Sequence, residues 1–93
     1  MIVCWTPEAL ADRRAIHLHI RHDNPPAAIA MDELFEAAAE RLATTPRMGK
    51  PGLIEGTRAL IPHESYRLVY EIIDETVWVL ALVHTRRQWP LSS

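Results

Sequence analysis

The sequence predicts an α+β domain of order β-α-α-β-β-β, with two N-terminal helices packed on a small antiparallel sheet. Three observations point there. A short β-prone run, Ile2 to Trp5, leads into a helix start at Thr6-Pro7-Glu8. An apolar period of about 3.6 residues runs through Met31, Leu34, Phe35, Ala38 and Leu42. From Gly56 onward, three strand-like apolar runs follow one another with only short polar turns between them.

The elements follow in order. Ile2–Trp5 reads as a first strand. Thr6 is a hydroxyl N-cap, Pro7 suits the first helical position, and Glu8 sits near the positive end of the dipole. The first helix is predicted to end near Arg21, with Ala9, Ile16 and Ile20 on a buried stripe and Arg13 as an odd occupant beside them. Asp23-Asn24-Pro25-Pro26 breaks it, and Asn24 caps a second helix spanning about Pro26 to Ala43. Asp32, Glu33, Glu36 and Glu40 read as that helix's solvated face. Thr44 to Gly52 is a proline- and glycine-rich connection.

In the following strands, Tyr66, Leu68, Tyr70 and Ile72 share one face, and Arg67, Val69, Glu71 and Ile73 the other. Asp74-Glu75 makes a two-residue hairpin turn. Thr76–His84 is apolar on both faces, as expected of a central strand covered on each side.

Composition bounds the function. The 93 residues, 48% apolar, make one domain over residues 1–93 with a modest core. No apolar run approaches the roughly 20 residues that cross a bilayer, and the N-terminus lacks the basic lead of a signal peptide. The single Cys4 excludes an internal disulfide and fits a reducing cytoplasm. Net charge is −2, with four Lys/Arg against four Asp/Glu from Thr57 onward, so no large basic face is available for gripping phosphates. His17, His19 and His22 lie near one another in sequence, but no Asp or Cys completes a ligand set. Neither a metal nor a cofactor is indicated.

Two features stand apart from packing. Arginines interrupt apolar strands at Arg58 and Arg67, and a cation inside a strand needs a solvent-facing side or a task. Pairing of Arg67 with Glu71 or Glu64 would be the plain structural explanation. The tail His84-Thr85-Arg86-Arg87-Gln88-Trp89-Pro90 joins arginine to tryptophan, the composition enriched at binding hot spots.

The Thr6-Pro7 helix start, the paired helices, the strand Tyr66-Arg67-Leu68-Val69-Tyr70 and this tail together resemble the RelE/ParE superfamily of bacterial toxins from end to end. The resemblance implies the toxin of a type II toxin–antitoxin module. Such a protein is cytoplasmic and arrests growth until a small, partly disordered ParD/RelB-like antitoxin neutralises it. The antitoxin is expected on the grooves beside the helices and on the exposed sheet edge.

Two mechanisms share the fold. ParE-like members inhibit DNA gyrase and are not enzymes; RelE-like members are ribosome-dependent mRNA endonucleases. For RNA cleavage the resemblance assigns catalysis to Arg58, Arg67 and Arg86. However, Leu60 and Pro62 stand where further lysines are expected, and no tyrosine follows Arg86. His63 or His84 would then have to act as base, although a capping or packing role suits each better. The tail looks more like the ParE side and assigns target binding to His84, Arg86, Arg87 and Trp89. Acidity and the thinned basic set favour ParE-like inhibition of gyrase, with the mRNA endonuclease as alternative. A degenerate, non-toxic antitoxin-binding module is the second alternative, prompted by Arg13 on the apolar stripe and by the same thinned basic set.

Overall fold

The computed structural model describes residues 1–87 and residue 89. Its elements are β1 (Ile2–Trp5), α1 (Pro7–Asp23), α2 (Pro25–Thr44), β2 (Lys50–Pro51), β3 (Thr57–His63), β4 (Tyr66–Ile73) and β5 (Thr76–His84). The helices form as the sequence predicts, because their caps are built in. The Thr6 hydroxyl accepts the Ala9 N–H at 3.1 Å. Asn24 serves two helices at once: its N–H donates to Ile20 C=O at 2.9 Å, and its side chain accepts the Ala27 N–H at 3.2 Å. Proline at the next position then fixes the entry to α2.

Among the described residues the sheet has five strands, in the order β1-β5-β4-β3-β2. It is mixed rather than wholly antiparallel: β1 runs parallel to β5, from Ile2↔Thr76 to Trp5↔Val79. The two-helix crossover supplies the length of chain that a parallel neighbour requires. β2 is a two-residue edge strand within the connection that sequence periodicity assigned to no element.

Phe35, Ala38 and Leu42 of α2 and Ala9 of α1 pack on Leu68, Tyr70, Val77, Val79 and Leu82. Leu34 departs from the predicted stripe and is 42% exposed; the stripe runs instead through Ala28, Phe35, Ala38, Ala39 and Leu42. The supposedly solvated acids also differ. Asp32 and Glu36 face α1, where Arg13 Nε meets Asp32 at 2.6 Å and Nη1 meets Glu36 at 2.9 Å. The Arg13 guanidinium also lies 4.8 Å from the Trp5 ring centroid. Arg13 therefore ties α1 to α2 and β1. Its hydrogen bond holds Asp32 below the usual carboxylate range, against a smaller opposing effect of burial.

Two irregularities set which side chains face where. On β3 the register shifts between Leu60 and His63, where Pro62 has no N–H to give the ladder. On β5, Val79 pairs with Tyr70 but Ala81 pairs with Val69, leaving Leu80 as a bulge. Val77 and Val79 face the helices before the bulge and Leu82 after it, while Ala81 and Val83 turn to the far face beneath Leu80 and Trp89. At the β4–β5 turn, Asp74 adopts φ 55°, which suits the two-residue loop between Ile73 and Thr76. No helix among the described residues is long and apolar enough to cross a membrane.

Candidate functional site

The sequence singled out Arg58, Arg67, His84, Arg86, Arg87 and Trp89. Arg58 pairs across the ladder with Tyr70, on the helix-facing side of the sheet. Its Nη1 donates to Gly49 C=O at 2.8 Å and Arg47 C=O at 3.3 Å, bracing the α2–β3 connection. Tyr70 secures the same segment from below: its hydroxyl donates to Pro46 C=O at 2.7 Å and accepts the Gly49 N–H at 2.9 Å. Gly49 is required there, because a Cβ would stand 2.7 Å from the Tyr70 hydroxyl.

Arg67 pairs with Val83 and lies on the opposite face. It reaches neither Glu71 nor Glu64. Its Nη2 donates to the main-chain carbonyls of Thr85 and Arg87, on either side of Arg86. Thr85 is held again by its N–H to Ser65 C=O and its hydroxyl to Glu64 C=O, both at 2.9 Å. Trp89 lies over Val69, Ala81 and Val83, closing the far face. Arg67, Arg86, Arg87 and Trp89 thus come together in one corner, and Arg58 does not join them. Gln88 and Pro90 of the tail motif lie outside the described residues.

His63 and His84 cap turns. His63 Nδ1 accepts the Ser65 N–H at 3.1 Å, and His84 Nδ1 accepts the Arg86 N–H at 3.2 Å. The His84 ring also stacks edge-on against Tyr66, with centroids 5.5 Å apart, and Tyr66 against Phe35 at 5.7 Å. That aromatic row leads from the core to the tail.

Sequence reasoning missed Asp12. Its Oδ2 accepts the Leu82 N–H at 3.1 Å, from a strand edge with no neighbouring strand among the described residues. Burial pushes its pKa above the usual carboxylate range, the Leu82 hydrogen bond opposes this, and Glu8 adds to it. Asp12, Glu8, Ala15 and Ile16 form one wall of a groove of about 710 Å³; Leu80 to His84 form its floor, and Arg86, Arg87 and Trp89 close one end.

Nearly all of this architecture, from Val3 in β1 through Trp89, is covered by one family model. Residues 3–89 match the family described as the ParE toxin of the type II toxin–antitoxin system parDE. The chain belongs to the ParE toxin family. Two curated relatives agree with this toxin's assignment. Y4kP, a candidate toxin of Sinorhizobium fredii, is 33% identical over 86 residues, covering 92% of this chain and 90% of that protein. Toxin RelE2 of Caulobacter vibrioides is 35% identical over 86 residues, covering 91% and 96% respectively. Among solved structures, a chain of the chromosomal ParDE system from P. aeruginosa superposes with TM-score 0.80 at 20% identity, over 90% of this chain and 95% of that one. A YoeB/ParE toxin from Agrobacterium tumefaciens reaches TM-score 0.66 at 16% identity, over 90% and 98%. This ParE-family protein is a type II toxin with the RelE/ParE fold, and its family works with a cognate antitoxin.

Proposed function

We propose that this toxin inhibits DNA gyrase in the cytoplasm and that its tail is the target-contacting surface. One observation carries the reading: Arg58 and Arg67 lie on opposite faces of the sheet, each hydrogen-bonded to main-chain carbonyls. Cleavage at a 2′-hydroxyl needs cations converging on one phosphate, with a proton acceptor and donor beside them. Here Arg58 is on the wrong face and the capping nitrogens of His63 and His84 accept backbone N–H groups. By contrast, Arg86 and Arg87 are exposed beside the half-buried Trp89, the anchor-and-rim arrangement of a protein contact.

The endonuclease reading keeps one supporting observation, the closeness of Arg67 to the Arg86 segment. The degenerate-module reading keeps the thinned basic set but loses its other motive, since Arg13 is engaged in ion pairs rather than intruding on the core. Induction of the chain alone in a bacterium separates the three, with growth, total translation and gyrase-dependent DNA breaks followed together. DNA breaks while translation persists are the expected result. Translation lost first with DNA intact would make it an endonuclease, and soluble protein without arrest would leave the binding module.

A further inference from the structure

Among the described residues, the lane beside the second half of β5 holds no strand. β1 accompanies β5 only as far as Trp5↔Val79; the Thr6 N–H then donates to Val79 C=O at 3.0 Å and the chain leaves as α1. Along a strand, the N–H and C=O of every second residue point to the same side. The Leu82 N–H points away from β4, to Asp12, and Leu80 C=O on that side receives the Thr6 hydroxyl at 3.4 Å. Leu82 C=O and the His84 N–H consequently face the groove as well. Two side chains of the helix start occupy positions that a neighbouring backbone would fill. Asp12 takes the place of a strand carbonyl.

We propose that this groove seats an extended segment of the antitoxin, which adds to the sheet in the lane β1 vacates and takes the Leu82 N–H from Asp12. The proposal rests on the toxin–antitoxin reading and commits it to one edge of the sheet. A free main-chain edge selects a backbone in extended form, because a helix has satisfied its own donors and acceptors. The charges set the polarity of the guest. Thr6 and Glu8 mark the end near Leu80, whereas Arg86 and Arg87 mark the end past His84. The segment should therefore be neutral or basic beside Glu8, aliphatic against Ala15 and Ile16, and acidic where it reaches Arg86.

The test uses the toxin purified with the product of the neighbouring small reading frame. Amide exchange is followed by NMR in the free chain and in the complex. Leu82 and His84 amides should exchange at least about tenfold more slowly in the complex, that is, be protected by at least about 1.4 kcal/mol. Ala15→Arg, which fills the groove from an exposed helical position, should weaken the complex about tenfold or more while the melting temperature holds. Ile2→Arg, on the outer edge of β1 at a residue 67% exposed, should leave affinity unchanged. Protection instead at Val3 and Trp5, whose N–H groups alternate with those of Ile2 and Thr6 and so face away from β5, would move the partner to the β1 edge and overturn the proposal. Weakening by Ala15→Arg with unchanged Leu82 and His84 exchange would mean a docked helix and would also overturn it. Concentration-dependent protection in the chain alone would assign the groove to a second copy. Absence of any complex would remove the toxin–antitoxin reading together with the proposal.

Discussion

Arg67→Met separates a catalytic arginine from one that positions the tail. Methionine keeps most of the apolar stem over the far face and removes the guanidinium. The wild-type side chain donates to Thr85 C=O and Arg87 C=O. The Arg87 contact is at the exposed rim, so each bond is assigned the ordinary net value of about 1 kcal/mol rather than the charged maximum. The loss is about 2 kcal/mol, or about 30-fold in the ratio of docked to undocked tail. Thr85 stays fixed by Ser65 and Glu64, so the loosening begins at Arg86. Limited trypsin digestion reads this directly, because Arg86 and Arg87 are its cleavage sites. Cleavage there should accelerate about 30-fold while the rest of the chain stays resistant, and toxicity should fall in step with tail release. Toxicity lost with unchanged cleavage at Arg86 and Arg87 would refute the reasoning and return Arg67 to direct chemistry.

Further outcomes concern the core and the helix pair. Tyr70→Phe leaves the buried Gly49 N–H and Pro46 C=O without the hydroxyl, and urea unfolding should show a loss of about 2 kcal/mol. The folded-state pKa of Asp32 is depressed by Arg13, so its stabilising contribution is present above the unfolded pKa of about 3.9 and lost as pH falls through the folded value. Asp32→Asn should therefore lower the melting temperature at pH 7 and converge with wild type in acid. Asp12 has the opposite sign: its folded pKa is raised, so its contribution is present below the unfolded value and lost as pH rises through the folded one. Asp12→Asn, which still offers an oxygen to the Leu82 N–H, should raise the melting temperature at pH 7, with the gain vanishing below about pH 4.

The two helices were legible because their start signals are local: Thr6-Pro7 and Asn24-Pro25 cap in space as they do in sequence. The hairpin at Asp74-Glu75 was legible for the same reason. The parallel pairing of β1 was not, since apolar runs announce strands but not their neighbours. β2 spans two residues, too few for any period. Arg13 looked misplaced because its partners lie 19 and 23 residues away, although Asp32 and Glu36, four apart on one helix face, were a readable signal. Asp12 carried no signal at all. An acid in the early part of a helix is ordinary until the topology places an unpaired amide opposite it.

The bulge at Leu80 connects the sites. Without an extra residue, the alternation of Val77 and Val79 would continue, sending Ala81 and Val83 to the helices and Leu82 to the far face. The sequence hides this, because Thr76–His84 is apolar throughout and any phase looks equally buried. The shift places Ala81 and Val83 under Trp89 and turns the Leu82 edge toward Asp12. It also brings Arg67 opposite Val83, within reach of the tail carbonyls. The tail surface assigned to the target and the groove assigned to the antitoxin share Arg86 and Arg87. An antitoxin segment seated along Leu80–His84 would therefore place its acidic end on the arginines that the target needs, and neutralisation would follow from occupancy of the lane, without any change in the fold of the toxin.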